Sequence, residues 1–217
     1  MHSNKELTEN GPKATARIEA FSDGVFAIAI TLLILELIQI IHVKGAEGLQ
    51  ALLLGHWESL LAFMLGFITI LICWINHHLA FCYISKTDSH LMWVNGFVLL
   101  VVTFTPFPTA ILAGYFERET NYALAFFGFN YFMMSVAAYS LCAYVYYKKL
   151  IADSSRGLFY RLTLLYGCAI VYTLIIFFIC FVSVPVAIIC YCLLFVVFAY
   201  PKEFAERLPA RSSSSKA

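Results

Sequence analysis

A handful of residues in two otherwise apolar stretches have side chains suited to proton or hydrogen-bond chemistry. Arg17, Glu19, Ser22 and Asp23 lead into the uncharged run Gly24 to Leu35, and His77 and His78 lie near the end of a second run that closes at about Cys82. Ionisable groups at membrane depth are costly, so function is sought there first. Three chemistries fit. The group can pin helices together, because polar side chains act as interhelical glue in lipid. Ser22, His77 and Asp23 are the types of a nucleophilic hydrolase, although Asp23 and Gly24 after the serine do not make the GxSxG turn of serine hydrolases. Asp23 and His77 are also the types of a proton relay, in a proton channel or a proton-coupled carrier. Pinning is the favoured reading, since isolated buried charges must be paired. Span one runs outward and span two inward, which sets Ser22 or Asp23 at the depth of a histidine. Asn95, in the first turns of span three, stands at the same end.

The elements that must position these residues are transmembrane helices. Of 217 residues 62% are hydrophobic and 12% charged, and the mean hydropathy is +0.83. That balance excludes a soluble globular domain and gives no sign of nucleic-acid binding. About 20 apolar residues cross the hydrocarbon core, and the chain reads as six spans, the sixth of them short. Span one begins near Thr15, after Pro12. Span two occupies Ala51 to about Cys82, with Trp57 and Trp74 in it. Span three covers Leu91 to Tyr115 and is kinked by the TPFP string at Thr105 to Pro108. Span four is Tyr122 to Tyr147, span five Leu162 to Val182, and span six Val186 to Tyr200 after the break at Ser183 and Pro185. The fold class is all-α: one polytopic six-helix domain over residues 1–217, with 1–14 and 203–217 as flexible termini and Lys148 to Arg161 as a basic loop. The seven cysteines lie in or beside apolar runs without metal-ligand spacing and read as small core residues. No metal or cofactor is expected.

Charge placement orients the bundle. Twelve of the fourteen Lys and Arg residues fall in the N-terminus, the 2–3 loop, the 4–5 loop and the C-terminus, with only Lys44 and Arg118 opposite. The positive-inside rule makes those segments cytoplasmic, and an even number of spans with both termini inside agrees. The opposite face carries Glu36, Glu47, Glu58, Glu117 and Glu119, a local acidity that would attract cations to an outer mouth.

At 100° per residue Ile28, Leu32 and Leu35 share a narrow stripe on span one, with Thr31 at its border and Gly24 below, while Ser22 and Asp23 point elsewhere. Lipid, a partner subunit or a pore could face such a stripe, and hydrophobic rings are one way to gate a channel. The string Arg17-Ile-Glu-Ala-Phe21-Ser22-Asp23 matches the RxxxFSD signature of the transmembrane protein 175 family, the lysosomal-type potassium channels and their prokaryotic relatives. The continuation GVFAIAITLLILEL, the Trp74 and His77-His78 arrangement, and Asn95 also resemble that family. The resemblance implies a potassium-permeable cation channel, not an enzyme, in the cell membrane of a prokaryote. It further implies a homotetramer in the lipid bilayer, with first spans around a central pore. On the same footing Ile28, Leu32 and Leu35 match the constriction, Thr31 the hydroxyl beside it, and Arg17, Phe21, Ser22, Asp23 and His77 the polar signature residues. Potassium selectivity should be modest, because no TVGYG-type carbonyl filter is present.

Overall fold

Pro12 opens α1 (Pro12–Leu32), a position where its missing N–H costs nothing and its fixed φ favours the helix. The computed structural model describes residues 12–35, 37–38, 48, 50 and 55–208, with side chains from 15 onward. Glu36, Glu47 and the expected first outer loop therefore lie outside the described residues. The core-facing stripe of α1 is Ser22, Phe26, Ala29 and Leu33, spaced at three and four residues and all buried. Its opposite face stays open.

Six further helices and a terminal turn complete the described chain. They are α2 (Trp57–Phe81), α3 (Ser89–Phe104), α4 (Pro106–Tyr115), α5 (Thr120–Tyr147), α6 (Arg156–Ile179), α7 (Val184–Ala199) and the short α8 (Pro201–Glu206). Among the described residues four stretches are long and apolar enough to cross a membrane: 57–81, 89–115, 120–147 and 153–179. The remaining long helices are special cases. α1 carries Arg17, Glu19 and Asp23 within its span, and α7, at 16 residues, reaches only about 24 Å.

The break between α3 and α4 has a specific cause. Pro106 and Pro108 have no N–H to give to the preceding turn, and Thr105 N–H bonds instead to Val102 O at 3.1 Å. Hydroxyls take up neighbouring carbonyls: Thr105 Oγ1 donates to Val101 O at 3.2 Å and Thr109 Oγ1 to Thr105 O at 2.9 Å. Asn130 of α5 then donates through Nδ2 to Thr105 Oγ1 at 3.0 Å. The kink is thus held by a neighbouring helix, as broken backbone in a bilayer must be.

Packing is tightest where a side chain is missing. A Cβ on Gly128 of α5 would lie 1.7 Å from the Tyr191 hydroxyl oxygen of α7, so only glycine admits that ring. At Gly66 of α2 a Cβ would stand 2.8 Å from Thr109 Oγ1. One buried cluster surrounds Phe26, Ile70, Leu91 and Phe159; a second surrounds Leu112, Phe127, Tyr131 and Ile176. The linkers after α2 and after α5 meet at one end of the bundle, where Ile84 and Ile151 pair as an isolated β-bridge and Ser85 N–H bonds Leu150 O at 2.9 Å. Both linkers are therefore on one side.

Three expectations change. The basic loop is shorter, because a 3-10 turn at Asp153–Ser155 launches α6 at Arg156 and places Arg156 to Arg161 in helix. Helix also extends into the segments read as flexible termini: 12–14 belong to α1, and α8 runs to Glu206 with Ala205 fully buried against the bundle. Glu58, counted with the outer acidic face, is buried in the first turn of α2.

Candidate functional site

Two antiparallel helices bring the polar signature together by register. Glu19 and Asp23 are one turn apart on α1, as are His78 and Trp74 on α2, so the two pairs meet in order. His78 Nδ1 lies 2.8 Å from Glu19 Oε1, and Trp74 Nε1–H donates to Asp23 Oδ1 at 2.8 Å. The Trp74 and His78 rings stack with centroids 5.9 Å apart. Behind this exposed pair of contacts runs a buried one. Ser22 Oγ donates to Ile18 O at 2.8 Å, Asn95 Nδ2 donates to Ser22 Oγ at 2.9 Å, and His77 Nε2 lies 2.8 Å from Asn95 Oδ1. Because the Asn95 oxygen can only accept, His77 carries its proton on Nε2. His77 Nδ1 is left buried without a hydrogen-bond partner among the described residues. Phe26 and Phe81 enclose the imidazole, with ring centroids at 5.3 and 4.4 Å.

The residues singled out from sequence separate accordingly. Ser22, Asn95 and His77 form one three-helix chain, with Asn95 as its centre. Asp23 joins α1 to α2 through the Trp74 indole; it does not reach a histidine. Arg17 is exposed and is paired with none of them. Asn95 stands between Ser22 and His77, so the serine has no imidazole base on its hydroxyl, and the arrangement lacks the nucleophile–base contact of a hydrolase. Glu19 with His78 was not foreseen as a pair, although i,i+4 spacing on both helices was the available signal. A second buried polar layer was also missed. There Thr69 Oγ1 and the Tyr131 hydroxyl are 2.5 Å apart, and Asn130 holds the α3–α4 kink; a lone asparagine inside the apolar run of α5 was its signal.

The opposite face of α1 has a different character. Ile28, Leu32 and Leu35 remain 61%, 43% and 48% exposed. Phe21, Gly24 and Thr31 are exposed along the same side. Thr31 Oγ1 donates to Ile28 O at 2.8 Å, which commits its proton and leaves oxygen lone pairs outward. Within the bundle, by contrast, an apolar cavity of about 90 Å³ lies among α2, α3, α5, α6 and α7. His77, Asn76, Tyr131 and Tyr166 border it, and no carboxylate or ammonium does.

Apolar helices latched at one end by polar contacts, with an aliphatic face left uncovered, define an integral membrane protein of the helical polytopic class. The family described as "Endosomal/lysosomal potassium channel TMEM175" matches residues 17–106. A crystal structure described as that of a lysosomal potassium-selective channel TMEM175 homologue from Chamaesiphon minutus superposes with a TM-score of 0.74 at 34% identity, covering 88% of this chain and 98% of that one. The chain belongs to the TMEM175 family. A relative from Chamaesiphon minutus named as a potassium channel is 54% identical over 103 residues, 46% of this chain and 50% of the relative. A zebrafish relative named as an endosomal/lysosomal proton channel is 35% identical over 98 residues, 42% of this chain and 19% of its own length. The matched sequence thus spans half or less of these two relatives.

Proposed function

We propose that the protein is a potassium-permeable cation channel of a prokaryotic cell membrane. It assembles as a homotetramer in which four copies of α1 surround a central pore. The observation that carries this reading is the exposed stripe Ile28, Leu32 and Leu35, set opposite the buried stripe of the same helix. A hydrophobic constriction gates by dewetting. Thr31 presents hydroxyl lone pairs beside it, the hard oxygen ligands that alkali cations take. The small apolar cavity inside one bundle has no charged lining, which favours a path between copies over one through a single chain. Six spans follow if α1 and α7 cross with the four longer stretches and α3–α4 counts as one kinked span. The even number puts both termini on the cytoplasmic side, with the two bridged linkers and their cations. In this reading Ser22, Asp23, His77 and Asn95 hold the inner end of the pore helix and do not line the path; Arg17, exposed on the open side, takes no part in that latch.

The test is the reversal potential of purified protein in a planar bilayer with potassium chloride on one side and sodium chloride on the other. A shift toward the potassium equilibrium potential is expected, and Leu32→Asn or Ile28→Asn should raise conductance or weaken the shift by hydrating the constriction. Unchanged conductance and selectivity in both variants would remove these residues from the path. The second reading is a proton path through Asp23 and His77, supported by the name of the zebrafish relative. Proton flux without a permeant metal cation would favour it. The Trp74 indole, which occupies one oxygen of the Asp23 carboxylate, weighs against it.

A further inference from the structure

A groove of about 630 Å³ runs along the surface between α5 and α6, away from the open face of α1. Its floor is apolar, built by Leu164, Gly167, Cys168, Val171 and Ile175. Tyrosines edge it, among them Tyr139 and Tyr146 from α5 and Tyr160 and Tyr172 from α6. From Tyr160 to Ile175 the helical rise gives a length of roughly 22 Å, close to one leaflet including its headgroup layer, half of about 40–45 Å. A groove of that length, apolar at depth and edged by tyrosine, has the profile of a membrane-interface site.

The end nearest the linkers is cationic. Lys148 and Lys149 follow Tyr147 directly and are exposed. On α6, at 100° per residue, Arg156 falls between the directions of Thr163 and Gly167, and Arg161 between those of Cys168 and Tyr172. The two arginines therefore flank opposite edges of the groove's lower end, and Arg156 is the one in line with Gly167 and Val171. The Arg156 guanidinium carbon stands 5.6 Å from the Tyr146 ring centre. Its contact with Asp153, 3.7 Å from Nη1, involves an almost fully exposed carboxylate and is weak. Arg161 stands about 140° from Arg156 around α6, with its Nε buried, so it takes no part in the groove's mouth. The Arg156 guanidinium, with Lys148 and Lys149 on the neighbouring linker and only a weak carboxylate contact, suits an anion carrying several acceptor oxygens. We infer that this groove binds an anionic phospholipid, its phosphodiester at Arg156 and one acyl chain along Gly167, Val171 and Ile175. The inference rests on the membrane placement of the chain and is independent of what the α1 face conducts.

Cys168 is exposed on the groove floor and reports occupancy; Cys192, exposed on α7, is the reference thiol. Delipidated wild-type oligomer in detergent is alkylated with N-ethylmaleimide after adding dioleoylphosphatidylglycerol or dioleoylphosphatidylcholine, and each cysteine is followed by peptide mass spectrometry. Phosphatidylglycerol should slow Cys168 selectively. Removing the guanidinium by Arg156→Gln should raise the half-protecting lipid concentration about fivefold, the worth of one basic residue near an anionic headgroup. Lys202→Gln, on α8 at the same side of the bundle, should leave it unchanged. Equal protection by phosphatidylcholine, no protection by either lipid, or equal loss in the Lys202 variant would each overturn the assignment. So would a Cys168 that is unreactive in the lipid-free oligomer and reactive only after dissociation, because a second copy would then cover the groove.

Discussion

Asn95→Ala is the most informative single change. Asn95 is buried and joins three helices, donating to Ser22 on α1 and accepting from His77 on α2. Interhelical hydrogen bonds in a bilayer are worth about 0.6 kcal/mol on average and up to about 1.7 kcal/mol, so two of them contribute roughly 1–3 kcal/mol. Ser22 keeps its bond to Ile18. His77 does not fare as well, since its Nδ1 has no partner and its Nε2 would lose the one it has; a buried polar group so orphaned costs a further 1–3 kcal/mol or so. The expected loss is about 3 kcal/mol, read from reversible unfolding in mixed detergent micelles with tryptophan fluorescence. His77→Phe alone should cost less, because it breaks one of the two bonds and leaves only the Asn95 oxygen without its partner, while Asn95 keeps its bond to Ser22. In the Asn95→Ala background its added cost should be smaller by about 1 kcal/mol or more, as contacting residues couple. If the two single losses add to within about 0.5 kcal/mol, the Ser22–Asn95–His77 chain does not hold the helices together and the reasoning fails.

Two further outcomes follow from packing and capping. Gly128→Ala should cost about 2 kcal/mol or more through overpacking against the Tyr191 hydroxyl, and Tyr191→Phe in the same chain should recover part of the loss in the same unfolding assay. Partial recovery is the mark of the clash; none would mean that α5 and α7 part by another route. Asp88 caps α3 by accepting from Leu91 N–H at 2.7 Å and receives the Tyr144 hydroxyl at 2.7 Å. Asp88→Ala should therefore destabilise by about 1–2 kcal/mol and Asp88→Asn by less, measured by thermal melting in detergent.

What the sequence disclosed depended on the kind of signal. Polar residues stranded in apolar runs stood out, so Ser22, His77 and Asn95 were legible as a set at one depth. Their order was not, because neighbouring residues on a helix differ by about 100° and a small rotation decides whether Ser22 or Asp23 faces the core. The same rotation divides the histidines: His77 turns inward to Asn95 and His78 outward to Glu19. Arg17 shares the signature but sits on the open side. The kink at Pro106 was legible from backbone chemistry, whereas its support by Asn130 was not, since contacts between distant segments leave no local pattern. Charge density misled at the start of α6 and beyond the end of α7. Arg156 and Arg161 read as loop but extend α6 beyond its apolar stretch, and Lys202 and Glu203 read as tail although Ala205 beside them is buried.

The distribution of the polar latch along α1 has a mechanical consequence. All its described hydrogen bonds to other helices fall at Glu19, Ser22 and Asp23. Beyond them Phe26 packs on the His77 ring and Ala29 and Leu33 join the apolar cluster, where sliding breaks no directional bond. The helix is thus a lever with its fulcrum near Ser22. A tilt of about 5° about that point moves Leu32, roughly 15 Å along the axis, by roughly 1.3 Å. In the proposed tetramer, four such levers acting together would change the bore at the proposed aliphatic ring by a large fraction of a water molecule's diameter while every bond at the fulcrum stayed intact.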